Sequence, residues 1–155
     1  MAAEQRRGRR IMMTSGELDA FLAGARTCRV ATVSAAGRPH ISPLWFVWDG
    51  ASLWLYSLTR SRRWAQLRGQ PWLAAVVDAG EEYGELRGAE LSGPAVFVGE
   101  SPRTGEPCAE LERPERLFAR KYFGLDGMPY DGRHGWLRLT PDAIASWDFG
   151  KLRAR

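Results

Sequence analysis

The residues best suited to chemistry lie where an apolar run gives out: Leu53-Trp54-Leu55-Tyr56-Ser57-Leu58 is followed by Thr59-Arg60-Ser61-Arg62-Arg63. A strand that ends where a helix begins gathers three kinds of anion ligand at one corner. These are free backbone N–H groups at the helix N-terminus, side-chain hydroxyls and arginine forks. The combination reads as a phosphate-binding corner, and the cluster Arg60, Arg62, Arg63 and Arg68 has no acid within it. Its chemistry is anchoring rather than bond-making.

Groups for bond-making are sparse elsewhere. There is no GxSxG elbow and no HExxH pair, and Glu81-Glu82 falls at a hairpin tip, where it reads as a solvated turn. His40 and His134 read as surface or hydrogen-bonded histidines, and Cys28 and Cys108 share no ligand spacing, so no metal site and no disulfide framework is encoded. Neither GxxxxGK[ST] nor a GxGxxG after a strand is present, which removes the P-loop and dinucleotide-fold readings. No catalytic residue is nominated, and an enzyme of this kind takes its reactive atom from a cofactor. Of the seven tryptophans, Trp54, Trp72 and Trp136 read as core, whereas Trp45 and Trp48 precede the arginine corner, where a flat ligand can stack.

The elements that must position these groups follow from the patterning. Residues 1–13 read as a flexible tail, and Thr14-Ser15-Gly16-Glu17 offers a capping box before Leu18, Phe21, Leu22 and Ala25 on one helical face. Strands are expected over 29–34, 40–48 and 53–58, with Asp49-Gly50 as a hairpin turn. Ser61 caps a short helix through Leu67, ended by Gly69 and Pro71, and Trp72 to Asp78 supplies another strand. Residues 85–98 are strand-like with Gly88 and Gly93-Pro94 inside them, which signals bends in a curved sheet. Residues 110–122 form a second helix whose firm start is expected near Pro114. Strands over 134–139 and 143–149 complete a single domain of residues 14–150, followed by a short basic tail, 151–155. Six or seven short strands joined by hairpins make the chain mainly β, a small antiparallel barrel with a few short helices.

Composition sets the limits. At 155 residues and 45% hydrophobic content, one domain with a real core is expected. No apolar run reaches a membrane span, and no h-region follows the N-terminal arginines, so a cytoplasmic protein is expected. The net charge is +4, but residues 1–13 and 151–155 each hold +3, leaving the body between them at −2. Nucleic-acid binding calls for a basic footprint on the body itself, so none is expected.

The order of these elements resembles the pyridoxamine 5'-phosphate oxidase-like split β-barrel proteins that bind flavin or deazaflavin, and in particular the coenzyme F420-dependent branch. The carriers are Arg29-Val30-Ala31-Thr32-Val33 with Gly37-Arg38-Pro39-His40, then Pro43-Leu44-Trp45-Phe46, Trp48-Asp49-Gly50 with Leu53-Trp54-Leu55, Ser61-Arg62-Arg63 with Leu67, and Ser146-Trp147-Asp148-Phe149 with Lys151.

This resemblance implies a split barrel of antiparallel Greek-key type. It gives Arg60, Ser61 and Arg63 the cofactor phosphate, with Thr59 as a nearby hydroxyl and Arg63 standing where lysine is common. Ser42, Pro43, Leu44, Trp45 and Phe46 would run beside the ring. Lys121, Tyr122, Arg62 and Trp147 are further candidates, and Arg62 and Arg68 would meet the acidic tail of the deazaflavin. The implied activity is hydride transfer between coenzyme F420 and a small organic substrate, in a homodimer whose interface completes both sites. FMN as cofactor, or a non-catalytic module carrying haem, lipid or flavin, stands as the alternative.

Overall fold

The computed structural model describes residues 8–153, so residues 1–7 and 154–155 of the two expected tails lie outside the described residues. The inner parts of those tails are packed. The Asp148 amide donates to the Ile11 carbonyl at 2.7 Å, the Met13 amide to Ser146 Oγ at 3.1 Å, and Lys151 Nζ to the Met12 carbonyl at 2.8 Å.

Helix α1 (Ser15–Gly24) starts on the expected capping box, with Glu17 N–H donating to Thr14 Oγ1 and Thr14 N–H to Glu17 Oε2. Strands β1 (Thr27–Val33), β2 (Pro39–Trp48) and β3 (Leu53–Leu58) follow as successive antiparallel neighbours. The β2–β3 turn is set by Asp49. Its Oδ1 accepts from the Ala51 and Ser52 amides at 2.9 and 2.7 Å and its Oδ2 from the Trp54 indole at 2.7 Å, while Gly50 takes φ 96°. Then come α2 (Arg62–Gly69), β4 (Trp72–Ala79), β5 (Arg87–Val98), α3 (Ala109–Phe123), β6 (His134–Leu139) and β7 (Ala143–Asp148).

The strands run in the order β4-β1-β2-β3-β6-β5-β7, and a further β4–β5 pairing closes the first six into a barrel. The mainly β, antiparallel split barrel expected from the sequence is the architecture observed. Closure depends on β5, which pairs with β4 through Pro94 and with β6 from Ala95 onward. The change of partner falls at Gly93-Pro94. A Cβ on Gly93 would stand 3.0 Å from the Asp142 amide nitrogen and the Thr140 carbonyl oxygen, so the close approach of the two segments calls for glycine.

Two cores result. Inside the barrel, Val30, Phe46, Leu55, Leu67, Leu91 and Leu137 pack together. Outside it, α3 lays Leu111 and Phe118 over Trp54, Tyr56 and Trp136. Strand β3 is therefore covered on both faces, which is why it reads as a continuous apolar run.

Three expectations need correction. Pro114 lies inside α3, which begins at Ala109. Its missing N–H leaves the Glu110 carbonyl without an intrahelical donor, but the packed face holds the helix together. Trp72 is 51% exposed, because it faces outward at the start of β4. Trp48 is buried and donates its indole N–H to Asp19 at 2.7 Å, so it ties α1 to the barrel and is not free to stack on a ligand. Among the described residues, no helix is long and apolar enough to cross a membrane.

Candidate functional site

Strand β3 ends at Leu58, opposite His134 of β6, and the chain turns there into α2. The Thr59 amide and hydroxyl both donate to the Arg133 carbonyl, at 3.0 and 3.2 Å. Ser61 Oγ accepts from the Trp64 amide at 3.1 Å as the cap of α2. Both hydroxyls proposed as anion ligands thus also shape the corner. Thr59, Arg60 and Ser61 line a cavity of about 580 Å³, together with Gly132 and Arg133 from the loop before β6. Among the described residues no carboxylate pairs with Arg60 or Arg133. Arg62 does not line this cavity, and Arg68 lies over the Phe97 ring at 5.1 Å.

Arg63 takes a different direction. Only 6% exposed, it donates Nε and Nη2 to Ser57 Oγ at 3.2 and 3.1 Å and Nη1 to Ser42 Oγ at 2.5 Å. Two neutral hydroxyls are its partners, and among the described residues no carboxylate pairs with it. Burial pulls its pKa below the ordinary arginine value, with the neighbouring Cys28 acting the other way. The same interior pushes the Cys28 thiol up to about 12, burial first and Arg63 opposing, so that cysteine is a packing residue and no nucleophile. The arrangement concentrates positive charge under the β2–β3 edge, next to Pro43.

A second cavity, of about 440 Å³, opens beside that edge. Its apolar walls are Pro43, Leu44 and Trp45 of β2 facing Phe118 and Phe123 of α3. Trp45 is held in place from below by Tyr122, whose ring it stacks on with centroids 4.4 Å apart. Tyr122 Oη lies 2.6 Å from the Arg26 carbonyl and 2.7 Å from the Phe46 carbonyl, either of which can take its proton, and it accepts from the Phe46 amide at 3.0 Å. Phe46 itself is fully buried in the barrel, so its side chain does not face the cleft as the resemblance suggested. Strand alternation explains this, since Pro43 and Trp45 point out at positions where Phe46 must point in. Lys121 donates to the Phe46 carbonyl at 3.3 Å and lines a separate hollow of about 310 Å³. Trp147 lies on β7, where its ring covers Gly88, and lines none of these cavities.

The polar lining of the aromatic cleft comprises Thr27, Tyr56, Asp131 and His134, none of which the sequence reading placed there. Asp131 Oδ2 lies 2.5 Å from His134 Nδ1, and its Oδ1 accepts from the Arg133 and His134 amides at 2.8 and 3.1 Å. Burial works to raise the Asp131 carboxyl, but those amides and the imidazole outweigh it and hold the group below the ordinary aspartate range. The His134 ring stacks on Tyr56 at 4.8 Å, and the phenolic oxygen of Tyr56 is buried without a partner. Burial, then the Asp131 charge, raises Tyr56, so it stays a neutral donor. The only sequence signal for this edge was the Asp131-x-x-His134 spacing at the mouth of a strand.

One loop joins the two cavities: Asp131 and His134 line the aromatic one, Gly132 and Arg133 the arginine-flanked one. Together they suit a molecule that is planar at one end and anionic at the other.

A family model described as pyridoxamine 5'-phosphate oxidase matches residues 14–148. Among solved structures, the conserved hypothetical protein Rv2991 from Mycobacterium tuberculosis superposes with a TM-score of 0.80 at 26% identity, over 99% of this chain and 94% of that one. The heme storage protein HutZ from Vibrio cholerae gives 0.67 at 18% identity, over 87% and 95%. An F420 reductase gives 0.59 at 19% identity, over 82% and 94%. No curated protein matches the chain.

Proposed function

The chain belongs to the pyridoxamine 5'-phosphate oxidase family, and from that premise we propose that it is a coenzyme F420-dependent oxidoreductase acting on a small organic substrate. The observation that carries this reading is the junction of an aromatic cleft with an arginine-flanked cavity across residues 131–134. When bound, the deazaflavin supplies hydride chemistry. The residues supply position: Pro43, Leu44 and Trp45 give the ring an apolar bed, while Arg60, Arg133 and the amides near Ser61 face the phosphate. Arg63 sits beneath as an uncompensated cation. Arg62, exposed at the start of α2, supports an acidic tail rather than the shorter FMN. That a solved F420 reductase shares this fold agrees with the choice of cofactor.

The cleft lies at the edge of an outward apolar face formed by Val33, Ile41, Trp72 and Trp45 on β1, β2 and β4. Such a face suits a second copy of the chain, and the active protein is a homodimer in this reading.

Titrating the protein with coenzyme F420 and separately with FMN, followed by intrinsic fluorescence, tests the assignment. Micromolar binding of coenzyme F420, with FMN at least about tenfold weaker, is the expected result. Tighter FMN binding would reassign the cofactor. Binding of neither would remove the reading altogether.

A further inference from the structure

We propose that Lys121 is a carbonyl-capturing amine, which holds small apolar aldehydes reversibly as a Schiff base in the hollow where α1, β2 and α3 meet. The site is separate from the aromatic cleft and the arginine-flanked cavity, and it needs no cofactor. Lys121 lines this hollow of about 310 Å³ together with Ala23 of α1, Val47 and Trp48 of β2, and Leu117 and Arg120 of α3. Among the described residues no carboxylate pairs with its amine. The amine donates to the Phe46 carbonyl at 3.3 Å and lies 4.5 Å from the centre of the Phe46 ring.

Desolvation and a neighbouring cation are two means by which a lysine becomes neutral enough to attack a carbonyl. Both are present. Val47 and Trp48 are buried, Leu117 is partly buried, and the Arg26 guanidinium is anchored on the Lys121 carbonyl at 3.1 Å. Burial first, then the Arg26 charge, lowers the amine to about 8, with Cys28 of β1 opposing. The other charged or titratable groups around the hollow are Arg120, which Asp126 meets at 3.3 Å, Asp19 of α1, which accepts from the Trp48 indole at 2.7 Å, and the Tyr122 phenol. The second lysine of the chain is the contrast. Lys151 donates to Glu17 Oε2 at 2.5 Å and to the Met12 carbonyl at 2.8 Å, so it is committed to an acid partner.

The walls select the aldehyde. Ala23, Val47, Trp48 and Leu117 are apolar, and the volume is at the small end of ligand cavities, so a short aliphatic or single-ring aldehyde fits. In the step, the Nζ lone pair bonds to the carbonyl carbon and the C=O π pair moves onto oxygen. A proton passes from nitrogen to that oxygen through water. Solvent lends a second proton, the hydroxyl leaves as water, and the nitrogen lone pair forms the C=N bond. The nitrogen then returns a proton to solvent, so amine and aldehyde give imine and one water with no co-reactant. The Phe46 carbonyl is not orphaned when the Lys121 donor is lost, because Tyr122 Oη lies 2.7 Å from it.

The test incubates the whole protein at pH 7 with benzaldehyde and cyanoborohydride, which reduces the imine to a stable benzylamine. Peptide mass mapping separates Lys121 from Lys151 and from the α-amino group. Lys121 should be labelled at least about tenfold faster than Lys151, since a group titrating near 8 is about one-tenth neutral at pH 7 and an ordinary lysine far less. Its rate should saturate with benzaldehyde. Ala23→Phe, a change at an exposed position of α1 that fills the hollow, should lower that rate about tenfold. Equal labelling of the two lysines, or a rate at Lys121 that rises linearly with benzaldehyde, overturns the inference. So does wild-type labelling of an Ala23→Phe protein whose Tm is within about 2 °C of wild type. Should Ala23→Phe fail to fold, saturation in the wild type decides.

Discussion

Trp45 lies flat on Tyr122, with ring centroids 4.4 Å apart and planes within 10° of parallel, so helix α3 sets the orientation of the largest side chain in the cleft. The Tyr122 hydroxyl fixes that helix to β2 through the Phe46 amide and carbonyl. Tyr122→Phe keeps the stack and removes these bonds. It should cost about 1 to 2 kcal/mol, because a buried amide and carbonyl lose their partner. Thermal melting checks this, and a Tm within 1 °C of wild type, on the order expected for no effect, would show the hydroxyl to be replaceable by water.

Among the described residues, Arg63 is a buried cation satisfied by hydroxyls alone. Arg63→Met should weaken cofactor binding by about 1 kcal/mol, because a positive charge behind the site is lost rather than a direct contact. The protein without cofactor should lose little stability, since a desolvated charge is removed along with the bonds. Fluorescence titration and melting of the same preparation separate the two effects. Equal affinity in wild type and variant would place the phosphate away from this arginine.

The barrel was legible in the sequence because hairpin turns and apolar alternation are local signals. Asp49-Gly50 and Thr14 to Glu17 adopted the turn and cap that their side chains dictate. The strand-to-helix turn capped by Ser61 was legible for the same reason. What the sequence concealed depended on distant pairing. Strand alternation turns Phe46 inward, and Arg63 is drawn inward by Ser42 and Ser57, contacts that periodicity does not encode. The pairing of Leu58 with His134 brings Asp131 and Arg133 to the mouth of the site from about seventy residues away along the chain. Trp72 could not be read as exposed because an outward apolar face looks like core until the partner strands are known.

Glu115 carries a network beneath the cleft loop. It accepts from Arg103 Nε at 2.6 Å, the Tyr130 hydroxyl at 2.7 Å and the Trp136 indole at 3.0 Å. Glu115→Gln leaves a buried guanidinium facing an amide, with Glu100 as its remaining acid. The cost should be about 3 kcal/mol, or roughly 6 to 12 °C in Tm for a domain of this size. Because Tyr130 adjoins Asp131, cofactor affinity should fall as well. A variant with wild-type Tm would mean that Glu100 alone compensates Arg103.

Lys121 is shifted down to about 8, first by burial and then by the Arg26 charge, with Cys28 opposing. Below pH 8 both folded and unfolded chains carry the proton, and the folded state bears the burial penalty. Between about 8 and the ordinary value of 10.5 the folded chain sheds the proton while the unfolded chain keeps it, so this group makes stability rise with pH across that window. Lys121→Met should remove that rise. Urea unfolding at pH 7 and pH 9.5 of both proteins gives the comparison, and identical pH slopes would show that the ammonium reaches solvent.

Ile41 is 65% exposed on β2, across β1 from β4, and Val33 and Trp72 stand bare on the same face. A stable homodimer needs about 800 Å² from each partner, and a seam of this kind has to supply its apolar centre. Ile41→Asp places a charge there. A charge buried without a partner costs several kcal/mol, enough to split a micromolar dimer, whereas an aspartate on a solvated strand costs the monomer little. Light scattering behind gel filtration should give twice 17.4 kDa for the wild type and 17.4 kDa for the variant. If Trp45 at the edge of this face shares its cleft with the second copy, cofactor affinity falls together with the dimer. A dimeric variant would move the interface to another face, and a monomeric variant with full affinity would show that each chain holds a complete site.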